Sequence, residues 1–127
     1  MSARKSILVL DDSPLVLGIV RDALQNEGFD VVVASDLRAF ERHVATATPD
    51  LILIDVNMPE AFGDDVGAVL KGARKLTVPI WLFSNMDDKT LEARSRDAGL
   101  DGFISKRAGV NVLVQRVQGI LGARAVS

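Results

Sequence analysis

Residues 51–59 read LILIDVNMP. Four large apolar residues run directly into Asp55, and Asn57 and Pro59 follow. A continuous apolar run fits a strand covered on both faces, since a half-exposed strand alternates apolar with polar residues. The carboxylate at its end demands water, a partner or a metal. Asp55 is therefore a helix cap, an ion-pair member, a metal ligand or a nucleophile. The nine residues alone leave all four open.

Working outward, the same short pattern recurs at SILVL (6–10), VVVA (31–34), IWLFS (80–84) and GFIS (102–105). Amphipathic segments lie between. Val16, Ile19, Val20, Ala23 and Leu24 share one helical face, which Gly28 ends. Leu37, Phe40, Val44 and Ala47 form a second stripe, begun by Ser35 or Asp36 and closed before Pro49. A weaker third stripe lies between Val66 and Leu76. The fourth, about 89–98, is anchored mainly by Leu91 and Ala98 before Gly99. Val110, Leu113, Val114, Val117, Ile120 and Leu121 make the last. Strands alternating with helices predict an α/β domain, a parallel sheet with helices on both faces. Right-handed crossovers leave few topologies, and the flavodoxin-like (βα)5 order 2-1-3-4-5 fits best.

The bulk properties agree with one domain over residues 1–127, long enough to bury a core without staples. Hydrophobic residues make up 48% and charged residues 25%, with no cysteine. That rules out disulfides and cysteine-based zinc sites. Fifteen basic and seventeen acidic residues give a net charge of -2. The basic residues are scattered, so neither direct nucleic-acid binding nor a membrane surface is expected. The N-terminus MSARKSILVL lacks the long apolar core and cleavage site of a secretory signal, and Asp11-Asp12 interrupts it. No run approaches the ~20 apolar residues of a spanning helix. The expectation is a cytoplasmic protein. His43, the one histidine, is expected to be exposed on the second helix.

In such a sheet, ligands bind beyond the carboxyl ends of the strands, at the switch point beside the first and third. Asp11-Asp12, Asp55, Ser84 and Lys106 all fall at that rim. Each has an ordinary reading alone: Asp12 or Ser13 with Pro14 caps a helix, Ser84 is a loop serine, and Lys106 is a solvated lysine. Together they are harder to dismiss. Two like charges about 4 Å apart repel by roughly 4 kcal/mol at an effective dielectric near 20. Three converging carboxylates call for more countercharge than Lys106 alone supplies. An all-oxygen donor set suits Mg2+. Metal, lysine, hydroxyl and one free carboxylate are the parts phosphoryl transfer needs, with Asp55 as acceptor and Asp11 and Asp12 as metal ligands.

These residues resemble the receiver domain of bacterial two-component response regulators, of the chemotaxis-regulator type, over essentially the whole chain. The likeness rests on Asp11-Asp12 after SILVL, Asp55 in LILIDVNMP, Gly63 four residues past Pro59, Ser84 ending PIWLFS, and Lys106 after GLDGFIS. It implies a signalling domain rather than a turnover enzyme, one that assists its own phosphorylation and dephosphorylation. A histidine kinase or phosphotransfer protein would donate to Asp55. Mg2+ would be held by Asp12, Asp55, the backbone carbonyl of Asn57, and Asp11 mainly through water. Ser84 and Lys106 would grip the phosphoryl oxygens. Ser84 and Phe103 would switch together, remodelling the face of the fourth helix, fifth strand and fifth helix for a downstream protein. The unphosphorylated form is expected to be a monomer, with dimerisation possible on phosphorylation.

Two positions depart from the family pattern. Arg107 stands where proline after a cis bond is usual, and a cis bond before a non-proline residue costs about 3 kcal/mol. Asn85 stands where a small residue usually follows Ser84, and is large enough to narrow access. They sustain one rival reading: a receiver-like interaction scaffold that works without phosphorylation. A second rival, an aspartate-nucleophile phosphatase, needs a general acid two residues after Asp55. Asn57 cannot serve as one. The chain closes with GARAVS, and its sequence fits either a free-standing receiver or one cut from a longer regulator.

Overall fold

The computed structural model describes residues 4–122; the start of the N-terminal basic stretch and most of the closing GARAVS lie outside them. Five strands, β1 (Ser6–Leu10), β2 (Asp30–Ala34), β3 (Leu51–Ile54), β4 (Ile80–Ser84) and β5 (Gly102–Ser105), form one parallel sheet. Their order is β2-β1-β3-β4-β5, as the alternating pattern predicts. Five helices connect or follow them: α1 (Pro14–Asn26), α2 (Leu37–Thr46), α3 (Gly63–Lys71), α4 (Asp88–Asp97) and α5 (Val110–Leu121).

The continuous apolar runs sit where burial is two-sided. All of β3, and β1 from Ile7 onward, are buried. Successive side chains serve opposite faces. Ile7, Val9, Leu51 and Leu53 join α1 and α5 residues Leu17, Val20, Leu24, Leu113 and Val117 in one core. Leu8, Leu10, Ile52 and Ile54 join Phe40 of α2 and Leu70 of α3 in the other. The edge strand β2 behaves differently: no strand lies beyond it, and Val32 is 42% exposed.

Helix boundaries follow local chemistry. Ser13, not Asp12, caps α1, accepting from the Val16 N–H with Pro14 at the first position. Asp36 caps α2 by accepting from the Ala39 N–H. The inward stripe of α1 is Leu17, Val20 and Leu24, whereas Ile19, expected inside, is half exposed. The third helix begins earlier and ends earlier than its apolar stripe predicts, because Gly63 must start it and Gly72 stops it. It has no side-chain cap, but Asp64 and Asp65 place negative charge in its first turn. In α4 the buried anchors are Leu91 and Ser95, while Ala98 serves as C-cap. His43 is half-buried rather than exposed, beside Ser6, Val32 and Pro49. Among the described residues no helix is long and apolar enough to cross a membrane.

Candidate functional site

Parallel register brings the strand ends to one rim. Leu10 pairs with Ile54 and with Ala34, and Ser84 pairs with Ser105. The backbone then carries the next residues over the edge in step. Asp55 N–H donates to the Leu10 carbonyl at 2.8 Å, and Asp11 N–H donates to the Ala34 carbonyl at 3.1 Å. Two aspartates separated by 44 positions are thereby set on neighbouring strand ends. Three carboxylates, those of Asp11, Asp12 and Asp55, lie with one oxygen each within 4.8 Å of one another. Asp11 is fully buried, Asp55 is 5% exposed, and Asp12 faces solvent.

Lys106 answers part of this charge. Its Nζ stands 2.5 Å from Asp11 Oδ2 and 3.5 Å from Asp55 Oδ1, with its side chain 11% exposed. Its ammonium also lies 5.4 Å from the ring centre of Phe83, within cation–π range. The solvated-lysine reading thus fails. Arg107 does not dislodge Lys106: the described chain has no cis peptide bond, so the Lys106–Arg107 bond is trans. Residues Lys106–Ala108 form a 3-10 turn, and Ser105 Oγ accepts from the Arg107 N–H at 3.1 Å to cap it.

Capping accounts for only part of the acidic pair. Asp11 Oδ1 accepts from the Ser13 N–H at 2.9 Å, which fixes the turn into α1. Its other oxygen receives no aligned hydrogen bond even with Lys106 beside it, so the contact is ionic and leaves lone-pair capacity unused. Among the described residues, the Asp12 carboxylate makes no hydrogen bond or ion pair. Burial raises the Asp55 carboxyl from 3.8 to about 6; Lys106 opposes the rise, and the charges of Asp11 and Asp12 add to it. Three clustered carboxylates with one nearby ammonium carry excess negative charge that a divalent cation would relieve. These donors, all oxygen, fit Mg2+.

The loop after Asp55 is held by contact. A methyl group at Gly63 would stand 1.9 Å from the Asp55 carbonyl oxygen and 2.6 Å from Ile54 Cγ2. Only glycine lets α3 begin there. Gly63 N–H donates to the Val56 carbonyl at 2.9 Å, and Asn57 forms an isolated antiparallel bridge with Phe62. Asn57 therefore lies on the loop directly beyond Asp55, with its side chain toward solvent.

Ser84 is buried at the end of β4, and its Oγ accepts from the Met86 N–H at 3.3 Å. Phe103 is half-buried and packs against Val56, Leu82 and Leu91. Asn85 and Lys106 line a groove of about 240 Å3 whose apolar wall includes Val16, Ile19 and Val110. Sequence reasoning overlooked Phe83 and Ser105. Phe83 lies inside the IWLFS run and Ser105 closes GFIS, so neither carries a local signal. Only the fold puts one beneath the lysine and the other under its turn.

Comparison with known proteins points the same way. The response regulator receiver domain family matches residues 7–118. The transcriptional regulatory protein KdpE of Mycobacterium tuberculosis is 31% identical over 112 residues, 88% of this chain and 49% of that protein. The polar-differentiation response regulator DivK of Brucella ovis is 30% identical over 124 residues, covering 93% of this chain and 97% of its own. Chemotaxis protein CheY4 of Vibrio cholerae, solved at low pH, superposes with a TM-score of 0.84 at 24% identity, covering 93% of this chain and 99% of that one. The chain spans about half the length of KdpE and of several other curated regulators it matches. With the family matched from β1 into α5 and its acidic cluster gathered at the sheet's rim, the chain belongs to the receiver domains of response regulators.

Proposed function

We propose that this domain is a phosphorylation-dependent signalling switch whose acceptor is Asp55. The observation that carries the reading is the meeting of Asp11, Asp12 and Asp55 within 4.8 Å, with the Lys106 ammonium bridging two of them. The donor is a phosphohistidine of a histidine kinase or phosphotransfer protein. A carboxylate oxygen of Asp55 forms a bond to phosphorus while the bond from phosphorus to the histidine nitrogen breaks. The electron pair returns to the imidazole, which takes up a proton. Lys106 balances charge on the phosphoryl oxygens, and Ser84 offers its hydroxyl to one of them. Asp11, Asp12, Asp55 and the Asn57 carbonyl are the groups that would hold Mg2+, which when bound neutralises phosphoryl charge.

Signalling then follows from a two-state equilibrium that the added charge biases. Ser84 turns toward the phosphoryl group, and Phe103 moves with it. The face formed by α4, β5 and α5 passes the change to a downstream protein. The unloaded domain is a monomer working in the cytoplasm, and residues 1–127 form one receiver unit. Asn85 narrows access for attacking water and prolongs the loaded state.

The test is incubation with a small acyl phosphate and Mg2+, followed by intact-mass measurement. The parent gains one phosphoryl group, and Asp55→Asn gains none. Equal labelling of both, or of neither, overturns the assignment. The latter result returns the protein to the scaffold reading.

A further inference from the structure

We infer that Arg94, Asp64 and Phe62 form a clasp holding α4 to the start of α3 in the unloaded domain, and that its strength sets how readily α4 shifts once Asp55 is loaded. The inference rests on the reading of Asp55 as phosphoryl acceptor. Arg94 Nε and Nη2 each donate to a separate carboxylate oxygen of Asp64, both at 3.1 Å. This forked pairing is the directional form of a guanidinium–carboxylate bond. The same guanidinium lies 5.1 Å from the ring centre of Phe62.

The clasp matters because α4 has only a small buried anchor on β4 and β5. Its sequence DKTLEARSRD buries only Leu91 and Ser95. Leu91 joins Val56, the residue after Asp55, and Leu82 of β4 in one small buried cluster, against which Phe103 of β5 packs. Asp64 follows Gly63, whose backbone abuts the Asp55 carbonyl. The apolar cluster and the clasp thus each include a residue next to the loop that begins at Asp55. One is a non-directional apolar contact. The other is a two-pronged ion pair, with Asp64 13% and Arg94 30% exposed. The Arg96–Glu92 pair on the same helix is 68% and 71% exposed, so water and salt screen it far more.

A contact made in the unloaded arrangement and loosened in the loaded one adds to the free-energy gap between them. Weakening the clasp therefore favours the loaded arrangement. The charge at the rim and the position of α4 are coupled in both directions.

The test titrates beryllofluoride, a phosphoryl mimic, with Mg2+ into four proteins followed by Trp81 fluorescence: parent, Arg94→Gln, Asp64→Asn and the double variant. Arg96→Gln serves as surface control. Each single variant binds the mimic about threefold to tenfold more tightly than the parent, and the double variant binds no more tightly than the better single. Arg96→Gln matches the parent. A second arm needs no phosphoryl chemistry: in metal-free protein, amides of residues 88–97 exchange faster in both single variants. Parent-like or weaker binding, or unchanged exchange, overturns the clasp and leaves the acceptor reading standing. A parent that gives no response to beryllofluoride at millimolar Mg2+ overturns the acceptor reading instead.

Discussion

At the scale of single residues, the site is defined by how badly its charges fit without a cation. Asp55 is the clearest case. Its carboxyl is raised from 3.8 to about 6, chiefly by burial. Between those values the folded chain holds a proton that the unfolded chain has lost, so metal-free stability falls as pH rises through this window. The expected outcome is a metal-free protein, in chelator, with a higher melting temperature at pH 4 to 5 than at pH 7, after other groups are accounted for by Asp55→Asn. That variant melts higher than the parent at pH 7, and the gain fades as pH falls toward about 4. Thermal melts of both proteins across pH check this; a parent curve parallel to the variant's contradicts it. Lys106 gives a second prediction. Its ammonium occupies the space between Asp11 and Asp55, where it competes with any added cation. Lys106→Ala binds Mg2+ about tenfold more tightly, since a repulsive neighbour is removed, yet loses beryllofluoride binding. Titration calorimetry separates the two effects.

At the scale of elements, the start of α3 and the end of α5 make a matched pair of glycine tests. A side chain at Gly63 meets backbone at 1.9 Å, which no rotamer change relieves. Gly63→Ala should destabilise by about 3 kcal/mol or more through strain at β3 and α3. It should also weaken Mg2+ binding, because the displaced atom is the carbonyl of Asp55 itself. Gly119, inside α5, has nothing within 4 Å of an added methyl. Gly119→Ala should stabilise by roughly 0.5–1 kcal/mol, since alanine loses less backbone entropy in a helix. Urea unfolding of both variants measures the contrast, and similar effects at the two positions would refute it. The third helix also shows where element boundaries escape a pattern reading. Its apolar stripe begins at Val66, but the helix begins at Gly63, where close packing against a strand end decides the start.

At the scale of the whole molecule, one sheet carries two cores, one on each face, and β1 and β3 contribute to both. Strands shared in this way couple the two layers, so the domain should unfold as a unit. Fluorescence of Trp81, on β4 against the α1–α5 layer, and far-UV circular dichroism should report the same urea midpoint. Separate midpoints would show that the layers melt independently.

The sequence by itself determined the strands, their order and the set of polar residues at their ends. Apolar periodicity and the absence of alternation follow directly from two-sided burial, as LILI and SILVL show. The pairs Asp12-Ser13 and Ser35-Asp36 announced helix starts because a cap is a local interaction, and the fold chose Ser13 and Asp36. Only the tertiary structure decided which bland reading each rim residue escapes. Asp12 is spared from capping, Lys106 is drawn inward over Phe83, and Arg107 leaves it in place through a trans turn capped by Ser105. No local signal marks Arg94 among the charges of DKTLEARSRD; the fold alone sets it against Asp64 and Phe62. The physical reason is range. Periodicity and capping act within a few residues, whereas charge pairing and close approach depend on distances between positions that only the folded backbone brings together.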